Sequence, residues 1–209
     1  INVYTHNSAG VKTDHKVKKG RAGTEYYVGA WDYGDGDGDS TGDDYDDNVL
    51  LVATYAYPTK TTTRADGKKT SYSYTFWDSN DRNIKTKTTT LPTISTAQNG
   101  SGVATSTVMY FDEFGRQRWT KDGEGYVNYY SYNPFTGGQA YVATDVDPAS
   151  PGTDVTSGSS ANWDAWTAGG ANTNKPTRSG SLPTALNLVQ KTYYDDQGRT
   201  WYTIDQSAA

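Results

Sequence analysis

The densest run of possible metal ligands in the chain lies between Asp32 and Asn48, DYGDGDGDSTGDDYDDN. Within it, Asp35, Asp37, Asp39, Thr41, Asp43 and Asp46 fall at positions 1, 3, 5, 7, 9 and 12 of one window. That is the spacing of a calcium loop, in which carboxylates and one carbonyl surround a hard cation. Position 6 is Ser40 where such loops carry Gly, and neither flank has a helical pattern, so the framework is not that of an EF-hand. Two readings stay open. Either calcium sits among carboxylates that would otherwise repel one another, or the run is a hairpin tip solvated by its own charge. The first has a direct test, the melting temperature in millimolar calcium against a chelator. Calcium should raise it, and an unchanged value removes calcium as a cofactor.

Other reactive chemistry is sparse. A nucleophile needs a base beside it, and paired-carboxylate hydrolysis needs two acids facing each other across a cleft. The only histidines, His6 and His15, lie in one polar stretch near the start of the sequence. No His-Glu-x-x-His or phosphate loop occurs. The expectation is a non-catalytic chain. Asn99-Gly100-Ser101 is an acceptor sequon for N-linked sugar, and the threonines of 85–106 could carry O-linked sugar. The same stretch could equally form polar strands joined by the Asn-Gly turn. Trp163 and Trp166 could stack on the rings of surface glycans or on a neighbouring subunit. Alternatively they pin their loop to the sheet beneath.

Composition points to the elements that would carry these groups. Tyr (18) and Trp (6) are abundant while hydrophobic residues make up only 33%, which fits aromatic-lined β-structure better than a Leu/Ile core. A net charge of −5 argues against a nucleic-acid partner, because phosphate binding needs a basic patch. Without cysteine there is no disulfide scaffold and no thiolate metal site. No apolar run approaches the ~18 residues of a transmembrane span.

Strand patterns recur along the whole chain. Residues 24–31, TEYYVGAW, read as a strand, and 48–57, NVLLVATYAY, as a strand covered on both faces. The lysine-rich segment VKTDHKVKKGR reads as a sheet edge kept from pairing by its charges. Asp66-Gly67 signals a hairpin. After it, TSYSYTFWD alternates, with Tyr72, Tyr74 and Phe76 on one face and Ser71, Ser73, Thr75 and Trp77 on the other. Strands are again expected at 139–146 and 186–194.

Turns punctuate these strands at regular places. Asp112-x-x-Gly115-Arg116 is followed by Asp122-x-x-Gly125, then by Tyr130-x-Tyr132-Asn133. Asp195-x-x-Gly198-Arg199 repeats the first element, and Trp77-Asp78-x-x-Asp81-Arg82 is a variant with Asp for Gly. Tyr4-x-His6-Asn7-x-x-Gly10 is a worn copy. In each, Asp or Asn can bond its own backbone two residues on, and Gly accepts the positive φ that closes the bend.

The full pattern, an aromatic-Asp-x-x-Gly-Arg turn, then Asp-x-x-Gly, then Tyr-x-Tyr-Asn, resembles the YD repeat of the RHS/YD-repeat family. The resemblance implies an all-β fold of antiparallel hairpins wound into an extended sheet or shell, with Tyr stacking across strands and Arg bridging turn carboxylates. Members of that family enclose cargo in β-shells or act in adhesion at the cell surface or outside the cell. The expected organisation is one repeat region over 1–209, interrupted by the acidic loop 32–48 and by a Gly/Pro/Ser/Asn-rich insertion at 147–183. The chain reads as part of a longer polypeptide. Its expected partners are copies of itself or flanking repeats, and surface glycans.

Overall fold

A computed structural model describes residues 1–34, 50–77, 83–149, 152–154, 159–161 and 174–205. The chain forms two compact units, Ile1–Ser106 and Thr107–Ala209. Both are built of antiparallel strands that pair in chain order. The fold is all-β, as the alternating aromatics require. No helix among the described residues is long and apolar enough to cross a membrane.

In the first unit β1 (Asn2–His6), β2 (Lys12–Lys18), β3 (Glu25–Gly34), β4 (Leu50–Ala56), β5 (Lys68–Phe76) and β6 (Ile84–Thr90) form a meander. The alternation holds in the middle of β5, where Tyr74 is buried, Tyr72 and Phe76 are half-buried and Ser73 and Thr75 are exposed, but Ser71 and Trp77 on the second face are half-buried too. Three expectations need correction. The lysine-rich segment is not a free edge, because β2 pairs with β1 on one side and β3 on the other. Its cations are accommodated by the neighbouring strands. Lys12 Nζ lies 4.3 Å from the centroid of a Trp31 ring, Lys16 Nζ 4.5 Å from that of Tyr27, and Lys18 bonds Glu25 at 3.1 Å.

The β4–β5 link is not a two-residue hairpin turn at Asp66-Gly67 either. A 3-10 turn, Arg64–Asp66, occupies it and Gly67 has an ordinary φ of −66°. Nor is β4 covered on both faces, since Ala53 alone is fully buried in it. Few apolar side chains are fully enclosed in this unit: Ala30, Ala53 and Tyr74 among the described residues. Rows of lysines over tyrosine and tryptophan rings do much of the work that an apolar core does elsewhere. Each exposed pair contributes about 0.5–1 kcal/mol.

The second unit orders its strands β7 (Ser106–Phe111), β8 (Gln117–Lys121), β9 (Val127–Tyr132), β10 (Gln139–Thr144), β13 (Leu188–Tyr194) and β14 (Thr200–Asp205). A separate ribbon pairs β11 (Gly152–Asp154) with β12 (Ser159–Ala161). Here a true core exists. Val127, Tyr129 and Ser131 of β9 are buried and alternate with half-buried Asn128, Tyr130 and Tyr132. Trp119, Tyr129, Ala143 and Val189 lie opposite one another on four successive strands. Large and small side chains thus interlock along one row, with Tyr141, Val127 and Val146 beside it.

Candidate functional site

The recurring feature of both units is the aspartate or asparagine turn. Asp112 Oδ1 accepts the backbone N–H groups of Phe114 (3.0 Å) and Arg116 (2.9 Å), and its Oδ2 accepts Arg116 Nε at 2.9 Å. Gly115, at φ +74°, donates its N–H to the Asp112 carbonyl at 2.9 Å. Asp195 repeats the set with Gln197 (3.0 Å), Arg199 N–H (2.9 Å), Arg199 Nε (2.8 Å) and Gly198 at φ +78°. One carboxylate therefore closes the bend with one oxygen and fixes the following arginine with the other. The Arg199 backbone N–H, then its side chain, hold the Asp195 carboxyl below its ordinary pKa.

Asp122 has no arginine and uses Oδ1 alone for Glu124, Gly125 and Tyr126 N–H. Two asparagines do the same. Asn7 Oδ1 accepts from Val11 with Gly10 at φ +77°, and Asn133 Oδ1 accepts from Phe135 and Thr136 with Gly137 at φ +71°. The Asn133 turn, which the Tyr-x-Tyr-Asn element marks in the sequence, lacks the Asp-x-x-Gly spacing, its glycine standing one residue later.

The turn glycines differ in their surroundings, which sets up a graded test. A Cβ on Gly115 would meet nothing within 4 Å, whereas one on Gly125, at φ +101°, would stand 2.5 Å from Ser179 Cβ. Gly115→Ala should cost about 1–2 kcal/mol of left-handed strain. Gly125→Ala should cost a further ~1–3 kcal/mol of overpacking. Urea unfolding of the two variants measures the order, and a reversed order refutes the account.

Arginines also gather carboxylates from distant strands. Arg64, on the β4–β5 link, places Nε 3.0 Å from Asp14 Oδ1 and Nη2 2.5 Å from Asp32 Oδ1. The guanidinium lies over the Tyr55 ring, whose hydroxyl donates to Asp32 Oδ2 at 2.7 Å. Burial acts to raise the Asp32 pKa, but the Tyr55 and Arg64 bonds outweigh it and the carboxyl stays below its ordinary value.

In the second unit Arg178 Nε and Nη2 both reach Asp145 Oδ1, at 3.1 and 2.6 Å, and Nη1 bonds the Pro183 carbonyl at 2.7 Å. Asp145 Oδ2 accepts Leu186 N–H at 3.0 Å. This clamp ties both ends of the segment joining β10 to β13 to one carboxylate. Neither clamp was visible in the sequence, because the arginines and their carboxylates stand 32 to 50 residues apart with no local pattern.

Tyrosine hydroxyls complete the network: Tyr132 donates to the Gln117 carbonyl and Tyr57 to that of Arg64, each at 2.9 Å. Arg116 and Arg118 lie 5.3 and 5.9 Å from the Tyr132 ring centroid, and Tyr130 is half-buried on the same strand face. Burial raises the Tyr57 pKa from 10.0 to about 12, and raises those of Tyr74, Tyr110 and Tyr129 as well. A phenol raised on folding gives stability that is complete below the unfolded value near 10 and is lost as pH climbs through the folded one. Absorbance at 295 nm should therefore show a late tyrosine class that ionises together with unfolding between roughly pH 10 and 12. A single transition near pH 10 in the folded protein would contradict it.

The remaining expected site residues are placed as follows. Asn99 lies in the 91–105 link at φ 64°, as the cap of a 3-10 turn, Thr96–Gln98, in an exposed position. His15 stacks on Tyr4 at 4.6 Å and its Nε2 is 3.1 Å from Asn2 Oδ1. The expected calcium ligands Asp35, Asp37, Asp39, Thr41, Asp43 and Asp46 lie outside the described residues, as do Trp163 and Trp166 and the turn pair Asp78 and Arg82. Among the described residues, no group of three His, Cys, Asp or Glu converges as a metal site. Compared with protein-family models and with curated proteins, the chain matches none.

Proposed function

We propose that this chain is a structural segment of an extended β-wall of YD-repeat type, which continues by adding strands at its open edges. The observation that carries the reading is β14. Among the described residues it pairs with β13 alone, and every residue from Thr200 to Asp205 is exposed. Trp201 is 73% exposed, with Tyr202 and Ile204 beside it. Edge strands that must stay single usually carry lysine, proline or a bulge against pairing. TWYTID has neither lysine nor proline, and its one irregularity is the register shift at Trp201 in the pairing with β13. Backbone donors and acceptors on that side, together with aromatic side chains, suit another strand of the same kind. The other end of the strand order, β1, is exposed except at half-buried Val3 and among the described residues pairs only with β2.

The turn chemistry supports the same reading. Its carboxylates are committed to closing bends and orienting arginines, which is architectural work. Placement outside the cell or at its surface belongs to this proposal through the repeat resemblance.

The test is light scattering over a concentration series, combined with amide exchange of β14. Growth in mass with rising protection of the β14 amides is expected, and Trp201→Lys should abolish both. A monomer whose β14 amides exchange freely at every concentration would overturn the proposal.

A further inference from the structure

We infer that the first unit carries a binding groove for an organic monoanion with an apolar body, at the end of β2. The groove is shallow and open to solvent, has a volume of about 520 Å³, and its lining includes Ile1, Val17, Lys18, Lys19, Tyr26 and Lys60. That volume lies within the range of small-molecule pockets. Its floor is apolar: Val17 and Tyr26 stand opposite each other on β2 and β3.

The charge around it is one-sided. Lys18 bonds Glu25 at 3.1 Å, and Lys16 reaches the same carboxylate at 4.0 Å, so one acid serves two ammonium groups. Lys60 Nζ lies 3.9 Å from the Tyr26 ring centroid. Neither Lys60 nor Lys19 has a carboxylate partner among the described residues. In a chain of net charge −5, two exposed ammonium groups thus flank an apolar floor with no carboxylate paired to them among the described residues.

A carboxylate meets that demand, and the group attached to it would rest on Val17 and Tyr26. The floor separates this ligand from a bare inorganic anion, which would gain nothing from apolar contact. It also separates it from a neutral aromatic, which would leave the ammonium groups without a partner. Lys60, exposed and on a link between strands, can swing from the Tyr26 ring to the carboxylate.

Titration with 2-naphthoate, followed by ligand-observed NMR on the intact chain, tests the inference. Binding with Kd below about 1 mM is expected. The neutral isostere 2-naphthalenemethanol should bind at least tenfold more weakly, and equimolar inorganic phosphate should not displace the naphthoate. A Lys19→Ala/Lys60→Ala variant, with its circular dichroism unchanged because both residues are exposed, should bind at least tenfold more weakly. No saturation of the wild type by about 10 mM naphthoate would overturn the inference. Equal binding of the alcohol, displacement by phosphate, or unchanged affinity in the double variant would overturn it too.

Discussion

Asp145→Ala should destabilise the second unit by about 3–5 kcal/mol, the range found when one partner of a buried ion pair is removed. The side chains of Arg178 and Asp145 are only 9% and 13% exposed. Without the carboxylate, the guanidinium keeps the Pro183 carbonyl but loses both bonds to Oδ1, and the Leu186 N–H loses its acceptor. Asp145 also adopts φ 51°, which alanine tolerates poorly. Asp145→Asn separates the two causes, since asparagine accepts the left-handed backbone while removing the charge. It should retain most of the loss. Adding Arg178→Met to Asp145→Asn should recover part of it, because no lone charge then stays buried. Urea unfolding followed by tryptophan fluorescence gives each value. A loss under about 1 kcal/mol for Asp145→Ala would mean that the clamp does not hold the segment.

Trp119→Ala is expected to cost a similar ~3–5 kcal/mol for a different reason, the removal of a large buried side chain whose place the sheet cannot refill. Trp119 is 1% exposed and packs on Tyr129 with ring centroids 4.5 Å apart. It sits in the interlocking row with Ala143 and Val189, so its loss leaves Tyr129 without a neighbour on β8. The indole N–H has no hydrogen-bond acceptor among the described residues. Trp119→Phe should therefore lose only volume and cost well under half as much. If Phe proved as damaging as Ala, the indole nitrogen would have to be bonded and the packing account would fail. A comparable substitution in the first unit, Tyr72→Ala, should be milder, because Tyr72 is only half-buried and its ring faces the Lys87 ammonium at 5.1 Å rather than a buried apolar neighbour.

Low pH should weaken the fold through the turn and clamp carboxylates. Asp32 and Asp195 have depressed pKa values, so the stability they give is complete above the ordinary carboxylate value of 3.8. It is lost as the pH falls through their folded values below it. The alkaline side is governed by the buried phenols instead.

The sequence by itself determined the features whose causes lie within about four residues. Asp112 can only close its bend because Phe114, Gly115 and Arg116 follow it, and all four fall within five consecutive residues. The alternation of β5 and β9 is equally local, since side chains of a strand must point to opposite faces. Tertiary structure alone decided which strand became interior and which cations found partners. Nothing in VKTDHKVKKGR says that Trp31 and Tyr27 will lie beside its lysines and make charge tolerable inside a sheet. Arg64 and Arg178 look like ordinary link residues until the chain brings Asp14, Asp32 and Asp145 to them. The physical reason is range: a turn is fixed by bonds along the chain, whereas an ion pair or a stacked ring depends on which distant strand becomes a neighbour.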